Sequence, residues 1–315
     1  MDASQGAAGK MVSVVVPVFY NEHSLPVLFD ALMEVEAGLR ERGLDLELIF
    51  VDDGSRDASL KALLKIKDTR PATKVIKLTR NFGAVQASKT GMRFVTGDCF
   101  LVLAADLQDP PELILEMADL WQRGAKFVIC VREGREDGPL SVVLSKLYYF
   151  LLRLFVVGDY PRGGYDPALM SREFLPYMLN SAKNVNTPLF AYWLGFEPVR
   201  IRFSRRKRLH GRSRWTFLKR VKFFVDSILG FSMVPIRLMS IFGAVVALAS
   251  FVYGGVIAVH ALRGLSDVRG FPTLVVVISF LFGVVIMMLG ILGEYIWRIF
   301  DEVSRRPETV IDEIF

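Results

Sequence analysis

Phe100-Leu-Val-Leu-Ala-Ala-Asp106-Leu-Gln108-Asp109-Pro110-Pro111-Glu112 is the stretch whose reading decides the fold. Phe100–Ala104 is an unbroken apolar run, the pattern of a strand covered on both faces. Pro111 then suits the start of a helix, which the spacing carries from Glu112 to Gln122. Strand, acidic turn and helix form the unit from which parallel sheets are built. The same unit recurs on either side. Val12–Pro17 reads as a strand before a helix over Ser24–Glu41, where Leu25, Leu28, Leu32, Val35 and Leu39 hold helical spacing. Leu46–Val51 reads as a strand ending in Asp52-Asp53-Gly54-Ser55, followed by a helix over Ala58–Lys67. Thr73–Leu78 and Phe127–Val131 are further strands, and Ala84–Val95 a further helix. The alternation predicts an α/β domain with a mostly parallel sheet covered by helices on both faces. Ligands of such sheets bind at the carboxyl ends of the strands, where Asn21-Glu22, Asp52-Asp53 and Asp106–Gln108 all fall.

Those clusters set the chemistry. Asp106 and Gln108 offer two hard oxygen ligands to a divalent cation, Mg²⁺ or Mn²⁺, which usually shares its shell with substrate phosphates. Asp52 and Asp53 can accept hydrogen bonds from a base or ribose, although Asp-Gly-Ser is equally good turn chemistry by itself. Neither Gly-x-Gly-x-x-Gly nor Gly-x-x-x-x-Gly-Lys-[Ser/Thr] is present, which argues against a dinucleotide-dependent dehydrogenase and a P-loop NTPase. A nucleotide held by carboxylates and a metal points to a nucleotide-sugar enzyme. The three lone histidines lack metal-ligand spacing, so no zinc site is expected.

The 315 residues are 52% apolar, with net charge +6, a pI near 9.3 and a mean hydropathy of +0.37. This excludes disordered, collagenous and disulfide-rich classes. Cys99 and Cys130 are the only cysteines, as befits a reducing compartment. The apolar excess lies near the C-terminus. Leu238–Ala261 holds no charged group except a possible His260 cation, and Phe271–Gly293 holds none. Each is long enough to cross ~30 Å of hydrocarbon. Two spans with a polar link over Leu262–Gly270 predict a transmembrane hairpin within 235–297. No secretory signal is evident, and residues 1–10 read as a disordered tail. The basic run Arg200–Lys222, with Arg298, Arg305 and Arg306, places both flanks in the cytoplasm. Trp215, Leu218, Val221, Val225 and Ile228 with interleaved Lys219, Arg220 and Lys222 predict an amphipathic basic helix at the membrane surface, within a juxtamembrane segment 209–234. Tyr148–Phe155 reads as an interfacial or core helix too short to span. The remainder divides into a soluble domain over 11–208 and a cytoplasmic tail over 298–315.

Four motifs, taken together, carry a family resemblance. Val16-Pro-Val-Phe-Tyr-Asn-Glu22, Val51-Asp-Asp-Gly-Ser-Arg-Asp57, Arg80-Asn-Phe-Gly83 and Ala105–Glu112 resemble family 2 glycosyltransferases with a GT-A fold. The chain further resembles the polyprenyl-phosphate group, which includes dolichyl-phosphate mannose synthase and bacterial undecaprenyl-phosphate sugar transferases. His210-Gly-Arg-Ser-Arg-Trp215, the two spans, Leu292–Arg298 and Arg306-Pro307 extend the likeness to nearly all the chain past Lys10. The family usually has Asp-x-Asp where this chain has Ala104-Ala105-Asp106, leaving Asp106 and Gln108 for the metal.

The resemblance implies inverting transfer of a sugar from a nucleoside diphosphate, UDP by likeness to the bacterial members, to a polyprenyl phosphate. It implies donor contacts from Pro17, Asn21, Glu22, Asp52, Asp53, Asn81, Ala105, Gln108 and Ser213. It gives catalytic parts to Asp106, Arg208, Arg212 and Asp166, with Asp166 acting as base or as a positioning group. Arg205 and Arg206 are further candidates for neutralising phosphate, with a solvated charged stretch as the alternative. The implied setting is the bacterial plasma membrane, with both termini cytoplasmic and a tetramer as the assembly. A processive polysaccharide synthase is opposed by the lack of a Gln-x-x-Arg-Trp segment and by the small number of spans. A basic membrane-anchored scaffold would leave the acidic clusters without purpose, and no nucleic-acid-binding motif occurs.

Overall fold

Five valines, Val12, Val14, Val15, Val16 and Val18, are fully buried in the first strand, β1 (Lys10–Val18). Their β-branched side chains suit a pleated surface covered on both sides. The computed structural model describes residues 10–132, 139–183, 185–204, 206, 224, 226–263 and 270–315. After β1 come α1 (Leu25–Glu41), β2 (Leu44–Asp52), α2 (Ser59–Thr69), β3 (Lys74–Leu78), α3 (Ala84–Met92), β4 (Cys99–Val102), α4 (Leu113–Gln122) and β5 (Phe127–Arg132). Then follow α5 (Pro139–Phe155), β6 (Tyr165–Ser171), α6 (Leu175–Leu179), α7 (Thr187–Trp193) and β7 (Pro198–Phe203). The last elements are α8 (Val234–Leu262), α9 (Phe271–Val303) and β8 (Ile311–Ile314).

The strands form one eight-stranded sheet in the order β7-β5-β6-β4-β1-β2-β3-β8. The β4-β1-β2-β3 block is parallel, as the alternation predicts, and β5 pairs parallel with β7. Two antiparallel strands were absent from the sequence reading. β6 is inserted between β4 and β5, and β8 lies on the outer edge of β3. Pro167 sits at a β-bulge: Ile129 pairs with Ala168 and Cys130 with Asp166, leaving Pro167 without a partner.

Leu25, Leu28, Leu32, Val35 and Leu39 of α1 are all buried against the sheet, each worth roughly 1.5–3 kcal/mol of transfer free energy. A polar knot sits at the opposite end of the strands from the acidic turns. Glu47 on β2 accepts from Ser13 Oγ (2.5 Å), Lys74 Nζ (2.6 Å), Thr96 Oγ1 (2.6 Å) and Thr96 N (2.9 Å). Burial alone would raise its carboxyl. These donors outweigh burial and hold it below its ordinary value.

The chain divides into two compact units, 1–227 with 307–315, and 228–306. The second unit contains α8 and α9. Val234–Ile257 and Phe280–Val303 are long and apolar enough to cross a membrane. They leave Phe251, Phe282 and Leu248 largely uncovered by protein. Ser240 and Ser250 donate back to the Ile236 and Val246 carbonyls, which satisfies both hydroxyls within the helix. α9 runs ten residues beyond the expected end of the second span at Gly293, because Glu294, Arg298, Asp301 and Glu302 are good or tolerable helix residues. The expected tail 298–315 is accordingly divided. Its first part completes α9, and its last part re-enters the sheet as β8.

Candidate active site

The parallel strands β1 to β4 end along one edge, with Val18 beside Asp52 and Val15 beside Val102. The loops leaving that edge are tied together. Tyr20 N donates to Ser55 Oγ (3.1 Å), Asn21 N to Ser59 Oγ (2.8 Å), and Ala58 N to Glu22 Oε2 (2.8 Å). Asn21 Oδ1 accepts from Phe19 N, and its carbonyl accepts from Ser24 N and Leu25 N at the start of α1. Asn21 and Glu22 therefore hold the shape of the rim. Pro17 lies half-buried within β1, opposite Val51.

Asp52 and Asp53 are both buried, yet they do different work. Asp53 receives Phe82 N at 2.7 Å and Gly83 N at 2.9 Å, one on each carboxylate oxygen. It clamps the loop from Arg80 to Gly83, where Asn81 is exposed and Arg80 stacks over the Phe82 ring at 4.2 Å. Gly54 makes the approach possible. Its φ is +69°, and a Cβ there would stand 2.6 Å from the Arg80 carbonyl carbon. Asp52 Oδ1 accepts from Ser55 N (3.2 Å), whereas its Oδ2 is buried with no hydrogen-bond partner. A buried acceptor left open in this way is suited to an N–H or O–H of a ligand. Burial raises both carboxyls above their ordinary value, in Asp53 even against its two amide donors.

Beyond β4 the chain alternates. Ala105, Leu107 and Asp109 are buried, while Ala104, Asp106 and Gln108 lie on the opposite, more open face. Leu107 has φ +59°, an outlier for a bulky residue. The turn lets Asp106 Oδ1 accept from Gln108 N at 3.2 Å. Ala105 points into the core and offers no side-chain chemistry. Among the described residues no three His, Cys, Asp or Glu side chains gather into a metal-binding group. The donor set of Asp106 and Gln108 fits a hard divalent ion completed by ligand and water oxygens. Arg206 reaches the same turn, its N–H donating to the Gln108 carbonyl (3.0 Å) and its guanidinium to Glu112 (2.9 Å). Arg205, Arg208, Arg212 and Ser213 lie outside the described residues, as do most of the amphipathic segment and residues 1–9.

Asp166 is the second residue of β6, and the antiparallel pairing returns it to the edge where β4 ends. It forms an ion pair with Arg132, the last residue of β5. Sequence reasoning missed Arg132, although it ends an apolar strand just as Asp106 follows one. The thiol of Cys130, the register partner of Asp166 on β5, is pushed up to about 12, first by burial and then by Glu116, Asp109 and Asp166. Asp109 and Asp166 thus lie within electrostatic reach of one side chain.

Comparison with known proteins gives the family and the fold. The profile of Glycosyl transferase family 2 matches residues 13–182. The uncharacterized glycosyltransferase YkcC of Bacillus subtilis is 33% identical over 305 residues, covering 96% of this chain and 94% of its own. The SfII prophage-derived bactoprenol glucosyl transferase of Shigella flexneri is 32% identical over 302 residues, covering 95% and 97%. Among solved structures, the mannosyltransferase PcManGT from Pyrobaculum calidifontis, in complex with GDP-Man and Mn²⁺, superposes with a TM-score of 0.52. It shares 17% identity, and the match covers 90% of this chain and 88% of that one. The fold is of the GT-A kind.

Proposed function

The chain belongs to glycosyl transferase family 2, and from that premise we propose that it moves a sugar from a UDP-linked donor to a polyprenyl phosphate with inversion at the anomeric carbon. The observation that carries the reading is the shared rim. There the open Oδ2 of buried Asp52 and the half-buried Asp106 and Gln108 lie at the carboxyl ends of β2 and β4, the two parallel strands that flank β1. Asp52 accepts a hydrogen bond from the nucleoside, and the Arg80–Gly83 loop, held by Asp53, walls the same pocket. Asp106 and Gln108 would hold a divalent cation, Mg²⁺ or Mn²⁺. When bound, it supplies positive charge to the leaving diphosphate. Arg206 adds a guanidinium beside that turn, with Arg208 and Arg212 following in the chain.

Asp166 orients the acceptor or takes its proton. A phosphate monoester has its second pKa near ~6 and is mostly dianionic at neutral pH, so positioning is the larger part of that role. Arg132 keeps the Asp166 carboxylate aimed. The relative named as a bactoprenol glucosyl transferase supports a polyprenyl acceptor. The apolar α8 and α9 support a membrane setting for it. The return of the chain to the sheet as β8 supports a hairpin whose two ends share one side of the membrane, read from the basic flanks as the cytoplasmic side of the plasma membrane.

The test is full-length protein in detergent with undecaprenyl phosphate, Mn²⁺ and a panel of radiolabelled UDP- and GDP-sugars. Label entering the organic phase from a UDP-sugar is the expected result. No transfer from any donor would overturn the assignment. Asp166→Asn should lower the rate at pH 6 and at pH 8.5, and activity near that of the parent at both would remove Asp166 from the site.

A further inference from the structure

α3 carries an ammonium that the proposed chemistry does not use. Lys89 is only 6% exposed, in a helix whose first turn leaves the Phe82–Gly83 loop. A buried lysine is tolerated only where its charge is matched and its donors are used. Lys89 Nζ donates to Glu308 Oε1 at 2.7 Å and to the Ser181 carbonyl at 2.5 Å. At the next residue of each segment, Thr90 Oγ1 and Thr309 Oγ1 are hydrogen-bonded at 2.7 Å with both residues buried. Glu308 and Thr309 follow α9 in sequence and precede β8, whose Ile314 pairs with Ile76 of β3. The last residues of the chain are thereby locked to the helix that starts at the loop clamped by Asp53.

From this geometry we infer that Glu308, acting through Lys89, is a positioning residue for the donor-binding loop at Arg80–Gly83. α3 is a short rigid element of nine residues with two fixed ends. At its N-terminal end the Phe82 and Gly83 amides are held by Asp53. Toward its C-terminal end Lys89 and Thr90 are held by Glu308 and Thr309. Gly91 packs α3 tightly on β1, where a Cβ would meet Val15 Cγ1 at 2.4 Å, so the helix has little room to shift unless the lock opens. Loss of the Glu308 charge leaves the Lys89 ammonium buried with uncharged acceptors only. The helix must then move to let water reach it, and the loop moves with the helix.

The inference rests on the reading of the rim as a nucleotide site, and the experiment separates the two. Titration calorimetry of UDP with Mn²⁺ is carried out on the full-length protein and on Glu308→Gln, Glu308→Asp and Thr309→Val. Amide hydrogen exchange of the peptide spanning Phe82 and Gly83 is followed without ligand. Glu308→Gln should weaken UDP by about 5-fold or more and speed that exchange, a coupling of ordinary size between linked sites. Glu308→Asp, which keeps the charge on a shorter arm, should recover much of the affinity. Thr309→Val, which buries no unpaired charge, guards against a fold failure and should give a smaller change in the same direction. A lowered melting temperature with unchanged UDP affinity and unchanged exchange at Phe82–Gly83 would overturn the positioning role and leave the nucleotide site standing. If the parent protein does not bind UDP while exchange responds as expected, the nucleotide reading fails and the inference fails with it.

Discussion

Asp52 and Asp53 are adjacent buried carboxylates, and their surroundings give them unlike roles. Asp53 has both oxygens occupied by backbone amides, and Asp52 keeps one oxygen open. Burial raises the Asp52 carboxyl, so it favours the folded state while protonated. That contribution is complete below the unfolded pKa of about 3.9 and is lost as pH rises through the higher folded value. At neutral pH the ionised Asp52 opposes folding. Asp52→Asn should therefore melt no lower than the parent at pH 7.5, with the difference shrinking toward pH 4, while UDP affinity falls by roughly ten-fold, about one hydrogen bond to a charged group. Calorimetric melting curves across that range check the sign, and a clearly less stable variant at pH 7.5 would contradict it. The two cysteines give a simpler expectation. Both are buried, and burial raises both thiols, so neither should react with a thiol reagent at pH 8 until the protein unfolds. Asp106 and Gln108 were legible in the sequence from their place after an apolar strand, and Asp166 only through the family resemblance. The pairing of Asp166 with Arg132 was not, because 34 positions separate them and only the β5–β6 ladder brings them together.

At the scale of elements, the knot around Glu47 joins β1, β2, β3 and the turn before β4. Its depressed carboxyl contributes stability above the unfolded value near 4.5, and that contribution is lost as pH falls through the folded value. Glu47→Ala should cost about 3 kcal/mol at pH 7, since it leaves Ser13 Oγ without its acceptor and Lys74 without its counter-charge, and the loss should narrow in acid. Urea unfolding at pH 7 and pH 3.5 measures both. Gly54→Ala tests the rim. A side chain at φ +69° against the Arg80 backbone should cost about 1–3 kcal/mol and weaken nucleotide binding, because the Arg80–Gly83 loop cannot then reach Asp53. Binding of UDP equal to that of the parent would separate the loop from the donor. α1 was legible from apolar spacing, and α8 from the length of its uncharged apolar run. β6 was hidden by Pro167, which marks a turn in most sequences and here occupies a bulge that the two flanking strands accommodate.

For the whole molecule, the return of the chain from α9 to the sheet makes the order of parts unlike a domain followed by an anchor. The C-terminal strand completes the first unit after the apolar second unit has been made. Removal of 307–315 should therefore lower the melting temperature of the first unit by several degrees, an effect that a free tail would not produce. The sequence by itself determined the alternation of strands and helices, the acidic turns at the strand ends and the two apolar helices. Each is written in local periodicity, over stretches short enough for 2.0- and 3.6-residue repeats to be read directly. Only the tertiary structure decided which oxygen of Asp52 stays open, that Arg132 meets Asp166, and that Glu308 meets Lys89 across 219 positions. Those contacts depend on strand order and on the burial of charge, and no periodicity along the chain encodes either one.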